Sequence, residues 1–196
     1  MINKSKINNS NPKLPIAGVL PSDNNVEFIG VRTTKQVIWM QNGCSHYFSD
    51  LPLKYFNLLK RAYLKDHKAQ RFLSRVTDHL PRQIELFTYY MYGELDATPD
   101  ISNNVLQPSE NFRHKTNCPS LLWSTKTINI GKHILTPRQI VIIDLMAKGL
   151  ADKQIACVLG IAHKTLDNHK QKLFKDLGVT SKYDVLKLSF QYKIVA

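Results

Sequence analysis

The chain has 196 residues, enough for one large domain or two small ones, and its 27 lysines and arginines outnumber 15 acids to give a formal charge of +12. A polyanionic partner such as nucleic acid is the simplest physical reason to tolerate that self-repulsion, with a merely well-solvated basic surface as the bland alternative. Cys44, Cys118 and Cys157 are odd in number, far apart and without a CxxC pair, which argues against a disulfide framework and points to a reducing compartment. Met1-Ile2-Asn3-Lys4 leads into polar residues, and the apolar run at 140–147 is cut by Asp144, so neither secretion nor a membrane is expected and the expected location is cytoplasmic.

Residues 1–25, rich in Asn, Ser, Lys and Pro without period, suggest a disordered or loosely attached arm. At Val26 the composition turns β-branched and aromatic. Val26-Glu27-Phe28-Ile29-Gly30-Val31 and Gln36-Val37-Ile38-Trp39-Met40 predict a hairpin, and Asn42-Gly43, both tolerant of positive φ, a second tight turn. From Pro52 to Tyr92 the spacing is helical and predicts three helices, with inward stripes Leu53, Phe56, Leu59 and Tyr63, then Phe72, Val76 and Leu80, then Ile84, Phe87 and Met91. Pro81 suits the first turn of the third helix and Gly93 its end. The stretch from Pro52 to Arg82 carries eight basic side chains against two acids, most simply a solvated face, with a second DNA-facing surface as the minority reading.

Residues 94–120 have no period and predict a long loop or linker. Its acids Glu94, Asp96 and Asp100 are too sparse to argue a metal site. Leu121-Leu122-Trp123 and Thr127-Ile128-Asn129-Ile130 suggest a hairpin returning to the N-terminal sheet. The expected organisation is therefore an arm at 1–25, an α+β domain at 26–133 (small antiparallel sheet plus about three helices, loop 94–120 included), and an all-α domain at 134–196.

The C-terminal segment is the most informative. Thr136-Pro137 starts a helix with a hydroxyl cap and a proline where no donor is needed. Ile140, Ile143 and Met146 give its stripe, and Lys148-Gly149 suits its negative end. A second helix at about 152–159 turns inward Ile155, Ala156 and Leu159, with Cys157 taken as a core residue. Gly160 makes a tight turn, Ile161 plugs the core beneath it, and a third helix runs from about 163 to 177 on Leu166, Leu173 and Leu177. Its outward side offers Lys164, Thr165, Asp167, Asn168, Lys170, Gln171, Lys172 and Lys175, the donors, acceptors and methyl that a major-groove reader needs.

Taken in order, Leu135-Thr136-Pro137-Arg138, Ala147-Lys148-Gly149, Lys153, Ile155-Ala156, Leu159, Ile161, Lys164-Thr165-Leu166, His169, Leu177-Gly178-Val179 and Ser181-Lys182 resemble the LuxR-type (GerE-type) helix-turn-helix domain over about a third of the chain. The resemblance implies a four-helix domain binding double-stranded DNA as a homodimer. Lys164, Thr165, Asn168 and Lys172 match the positions that face DNA, with Lys153, Lys170 and Lys175 added as cations of the same surface and His169 in a mixed role between packing and the phosphate backbone. The fourth helix, at about 182–192, would carry dimer contacts through Val185, Leu188 and Ser189. Departures from the pattern are Gln139 and Gln154 where Glu is usual, and Ala151 and Ala162 where a Ser cap is usual, costing about 1 kcal/mol per cap unless a neighbour substitutes. The two neutral Gln residues also make the surface more positive, which favours nonspecific binding.

The N-terminal part matches neither a phosphorylated receiver, which needs alternating strands and helices, nor the family's autoinducer sensor, so its input, whether an unknown protein or a small molecule, stays open. Cys44, His46, His114 and Cys118 offer two sulfurs and two nitrogens for zinc, but at an unusual spacing, and the expectation is no metal and no cofactor. Tyr89, Tyr90, Tyr92 and Trp39 read as core aromatics. Two other functions stay in view: a protein-interaction adaptor that kept a helix-turn-helix, and a nucleic-acid enzyme accessory, which lacks clustered carboxylates for two-metal chemistry and is not preferred to a non-enzymatic regulator.

Overall fold

The β-branched stretch after Val26 builds an antiparallel meander of β1 (Glu27–Val31), β2 (Gln36–Gln41) and β3 (Cys44–Tyr47) in that spatial order. Phe28, Val37 and Trp39 face inward, and Asn42 and Gly43, at φ 53° and 77°, turn β2 into β3. The computed structural model describes residues 15–195.

Three helices cover the sheet: α1 (Leu53–Lys65), α2 (His67–Leu73) and α3 (Leu80–Tyr92). α3 is buried nearly all round, because one side meets β1 and β2 and the other meets α1 and α2. Its end passes β1 in direct contact: the Gly30 amide donates to the Gly93 carbonyl at 3.1 Å, and a Cβ on Gly30 would sit 2.8 Å from the Tyr89 ring. A side chain at Gly30 would push the helix off the sheet, and one at Gly93 would collide with the Tyr89 carbonyl and the Phe112 ring.

Three expectations for this half need correction. The α2 stripe is Ala69 and Leu73, whereas Phe72, Val76 and Leu80 are each more than a third exposed; Leu53 is exposed too. Helix α2 ends at Leu73, so Val76 falls in the turn that follows and Leu80 opens α3 instead of continuing the α2 stripe. Of the expected arm, 1–14 lie outside the described residues, and 15–25 are attached: Ala17 is buried with its amide on the Asp96 carbonyl, and Asp23 accepts from the Gly18 amide at 2.7 Å. The 94–120 segment is likewise fixed. β4 (Ile101–Ser102) and β5 (Val105–Leu106) pair around Asn103-Asn104, Val26 bridges to Ile101, and Phe112, Arg113 and Cys118 are buried.

The returning hairpin is also corrected. Residues Pro119–Leu122 form a 3-10 turn, and Trp123 enters the first core, stacked on Phe87 with ring centroids 5.7 Å apart. Then β6 (Asn129–Ile130) pairs with β7 (His133–Ile134) around Gly131 at φ 58°, and Ile128 and Ile130 join a second core. The change of core falls between Trp123 and Ile128, ahead of 133/134. That second core is completed by α4 (Pro137–Ala147), α5 (Asp152–Leu159), α6 (His163–Leu177) and α7 (Lys182–Gln191). Among the described residues no helix is long and apolar enough to cross a membrane.

Polar contacts fasten the two units. Arg113 holds Asp144 of α4 by two bonds of 2.7 Å, both side chains almost fully buried, and also donates to the Ile194 carbonyl. Asn111 donates to the carbonyls of Asn129 and Tyr192 and accepts from the Asn129 amide. On the N-terminal side Asp66 accepts from Thr125 N and Oγ1 at 2.7 Å, and the buried Lys126 ammonium donates to the Tyr90 carbonyl. The N-terminal unit thus reaches into the helical one, and the connecting residues Thr125 and Lys126 are clamped to the N-terminal unit.

Candidate nucleic-acid interface

Local chemistry positions α6. At the start of α4, Thr136 Oγ1 accepts from the Gln139 amide at 3.2 Å while Gln139 Oε1 accepts from the Thr136 amide at 2.8 Å, a reciprocal capping box. Gln139 Nε2 also donates to Asp176 at 3.3 Å, a contact that a Glu there would turn into repulsion. At the start of α5, Ala151 has no side-chain acceptor, yet Gln154 Oε1 takes the Ala151 amide at 2.9 Å, so half the box survives. Ala162 caps α6 with no side-chain bond at all. Between α5 and α6, Gly160 takes φ 62°, and the amides of Gly160 and Ile161 donate back to Cys157 and Ala156, closing α5 as α6 turns away.

Helix α6 buries Leu166 and Leu173 with Leu177 beside them. At about 100° per residue, Lys164, Thr165, Asn168, Gln171, Lys172 and Lys175 fall within about 120° of arc on the opposite side. All six are exposed, as is Lys153 on α5. His169 sits half-buried on the flank of that face. Lys170 departs from the expectation: its ammonium is paired with Asp152 at 2.5 Å and lies 6.0 Å from the Phe174 ring centroid, with its side chain largely covered. It pins α6 to α5. Asp167 pairs with His163 at 3.3 Å, and together with Asp152 they form a carboxylate and imidazole group at the head of the helix.

Two further sets of residues fall elsewhere than expected. Val185 and Ser189 are fully buried in the second core, and the Ser189 hydroxyl is satisfied by the Val185 carbonyl at 2.7 Å, so they cannot form an outer dimer surface; Leu188 is half-buried. The open face of α7 is instead Tyr183, 77% exposed, with Lys187 and Phe190. Cys157 is exposed, because Ile155 and Ala156 set the inward phase of α5. Of the four candidate zinc ligands, Cys44 is free and exposed, His46 stacks on Trp39, the His114 ring bonds the Tyr89 hydroxyl at 2.5 Å, and buried Cys118 contacts Ser120. Burial and the nearby Lys35 and Arg32 hold the His114 ring below its usual pKa. Tyr89, Tyr90, Tyr92 and Trp39 are buried in the first core.

Sequence reasoning also missed a carboxylate cluster. Glu27 on β1 and Glu110 in the 94–120 segment join Asp96 and Asp100 beside the seam. Burial, with neighbouring acids adding to it, pushes the Glu27 carboxyl up to about 8, the Glu110 carboxyl up to about 9, and Asp100 well above the usual range. No short-range pattern in the sequence signals this group, since its members are separated by up to 83 positions.

Residues 133–189 match the family described as "Bacterial regulatory proteins, luxR family". The chain is 35% identical over 66 residues to the "Transcriptional regulatory protein MctR" of Rhizobium johnstonii, a stretch covering 34% of this chain and 31% of that protein. It therefore spans about a third of the length of that curated relative. No solved structure matches. The C-terminal unit is a LuxR-family helix-turn-helix domain, and the family match does not extend to the N-terminal unit.

Proposed function

We propose that the protein is a DNA-binding transcription regulator that places α6 in the major groove. The observation that carries this reading is the outward stripe of α6, six exposed polar side chains on a helix whose opposite face is locked to a packed scaffold. Lys164 and Asn168, with Thr165 and Lys172, would read base edges, while Lys153 and Lys175 would meet phosphates and His169 would steady the backbone at the rim. Lys170 is reassigned to holding α6 in place. Binding as a dimer would use the open face of α7 around Tyr183 and Phe190, where large apolar side chains remain in water.

Selection of bound fragments from random DNA with the purified protein, followed by sequencing, tests the reading directly. A palindromic consensus with half-sites one helical turn apart is expected of a two-fold dimer. On that site, Lys164→Ala and Asn168→Ala should each weaken binding by about 1–3 kcal/mol and relax base preference. Unchanged affinity and preference in both variants would remove α6 from the groove.

A further inference from the structure

The densest group of ligating atoms not used by the DNA-facing helix lies where the two units meet. One carboxylate oxygen each of Glu27, Asp96 and Glu110 lie within 4.8 Å of one another. Their arrangement is built rather than accidental. Glu27 Oε1 accepts from the Asp96 amide at 2.8 Å, Glu110 Oε2 from the Glu94 amide at 2.8 Å, and Asp96 Oδ1 from the Thr98 amide at 2.6 Å. One loop turn thus fixes one oxygen of each acid, leaving the second oxygens of Glu27 and Glu110 without a partner among the described residues and that of Asp96 3.6 Å from the Lys193 ammonium. Glu27 is 0% exposed, yet its Oε2 has no hydrogen-bond partner among the described residues, and Glu110 Oε1 is in the same position. A buried oxygen left without a donor costs free energy, and two of them on acids that approach within 4.8 Å mark a place that a cation could complete.

We propose that Glu27, Asp96 and Glu110 form a binding site for a hard divalent cation at the seam between the N-terminal domain and the helix-turn-helix domain. The donors are all oxygens, the set that Ca2+, Mg2+ and Mn2+ prefer and that zinc does not require. Two ligands of one ion lie at most twice the metal–oxygen distance apart, about 5 Å for Ca2+ and about 4 Å for Mg2+. Three oxygens all at the 4.8 Å bound would hold an ion about 2.8 Å from each, so a Ca2+-sized ion needs at most a slight contraction and Mg2+ a larger one. The resident cations do not reach the two orphan oxygens. Lys126 Nζ is held by the Tyr90 carbonyl at 2.8 Å, and Lys193 Nζ lies 3.4 Å from Glu94 and 3.6 Å from Asp96.

The placement suggests what such an ion would do. A cleft of about 520 Å3 opens beside the site, lined by Asp96, Asp100 and Glu110 from one unit and by Gln191, Tyr192 and Lys193 from the end of α7 in the other. An ion on Asp96 would compete with the Lys193 ammonium for the same carboxylate, so occupancy would loosen or reset the hold of the seam on α7. The seam would then read cation concentration into the position of the DNA-binding unit.

The test uses the full chain stripped with chelator, titrated with Ca2+ and separately Mg2+ in a calorimeter, and with Tb3+ by tyrosine-sensitised luminescence. One saturable Ca2+ site per chain is expected, with a Kd of about 10⁻³ M or tighter and with release of protons on binding, since a carboxyl must ionise to take the ion. Glu27→Gln and Glu110→Gln, which keep the amide-accepting oxygen, should each weaken it by about 10-fold or more while circular dichroism stays unchanged. Asp96→Asn, at a less buried position, repeats the test if either Gln variant misfolds. Absence of saturable binding at 10-fold that concentration would overturn the proposal and leave the acids as a proton-sharing cluster. So would a site that survives these substitutions and disappears in Asp167→Asn, which would put the ion on Asp152, His163 and Asp167.

Discussion

The chain concentrates charge in two places and treats it in opposite ways. On α6, Lys164, Lys172 and Lys175 stand in water, where a charge costs little and can be given to a partner. At the seam, Arg113, Lys126, Asp144, Glu27 and Asp100 are buried, where a charge is tolerated only if something holds it. Exposed lysines are interchangeable within limits, and removing one changes binding more than folding. Buried ones are not: Arg113 is balanced by Asp144, 31 positions away, Lys126 is held by the Tyr90 carbonyl, and the Glu27 and Asp100 carboxyls, lacking a paired opposite charge among the described residues, are pushed toward the neutral form. The first region is where the proposed recognition would sit, and the second carries the geometry that connects one unit to the other.

The sharpest way to break this contrast is Arg113→Ala. It leaves Asp144 buried among the apolar residues of α4 without its two charge-assisted bonds, and also frees the Ile194 carbonyl. The expected loss of stability is about 3–5 kcal/mol, measured by denaturant unfolding, with the single transition separating into two as the units uncouple. A loss below about 1 kcal/mol would mean that water already reaches the pair and that the seam is no different from a surface. Arg113→Met with Asp144→Leu should recover much of the loss, since an apolar pair of similar volume needs no partner charge.

A smaller effect is expected at Asp66, which caps α2 through the Ala69 amide and clamps Thr125. Burial pushes this carboxyl up, but the bonds from Thr125 and Ala69 outweigh it and hold it below its usual value. A carboxyl depressed in the folded state adds stability above its unfolded pKa of about 3.9 and loses it as pH falls through the folded value. Asp66→Asn should therefore cost about 2 kcal/mol at neutral pH and progressively less in acid, the two unfolding curves converging below about pH 4. A difference that stays constant from pH 7 to pH 3 would show that shape and not charge matters there.

The same contrast explains what was legible. The helix-turn-helix is written in local chemistry: a threonine cap, glycines that accept positive φ at 149, 160 and 178, and apolar residues three and four apart, all acting within a turn or two of the chain. Even so, phase misled at Val185, Ser189 and Cys157, since a short helix packed on a neighbour can bury a serine that bonds its own backbone and expose a cysteine that does not touch the core. The three-stranded sheet and its helices were partly legible for the same local reasons. The seam was not. Glu27 and Glu110 are 83 positions apart and Arg113 and Asp144 31, and they meet through the tertiary fold, where Gly30 lets α3 press on β1 and where Trp123 enters the first core while Ile128 enters the second. Asp144 looked like an interruption of an apolar run until its partner came from another domain.

The smallest effect concerns the helix ends of the DNA-facing unit, and it is the finest test of whether that unit obeys local rules. Ala162 has extended backbone at φ −65° and ψ 148°, the conformation of a helix cap, with no side-chain acceptor for the first amides of α6. Ser at this position would accept one of them, and Ala162→Ser should stabilise the fold by about 1 kcal/mol, which is a rise in Tm of about 2–4 °C for a chain of this size. Ala151→Ser should gain less, because Gln154 already satisfies the Ala151 amide and the helix start is partly held. If α6 is read in the groove as proposed, Ala162→Ser leaves base preference unchanged and alters affinity only slightly, since the cap orders the end of the helix without touching Lys164 or Asn168. A gain at Ala151 that matches or exceeds the gain at Ala162 would show that the helix ends are set by packing from the rest of the domain, and the local chemistry that made this region legible would not be what holds it.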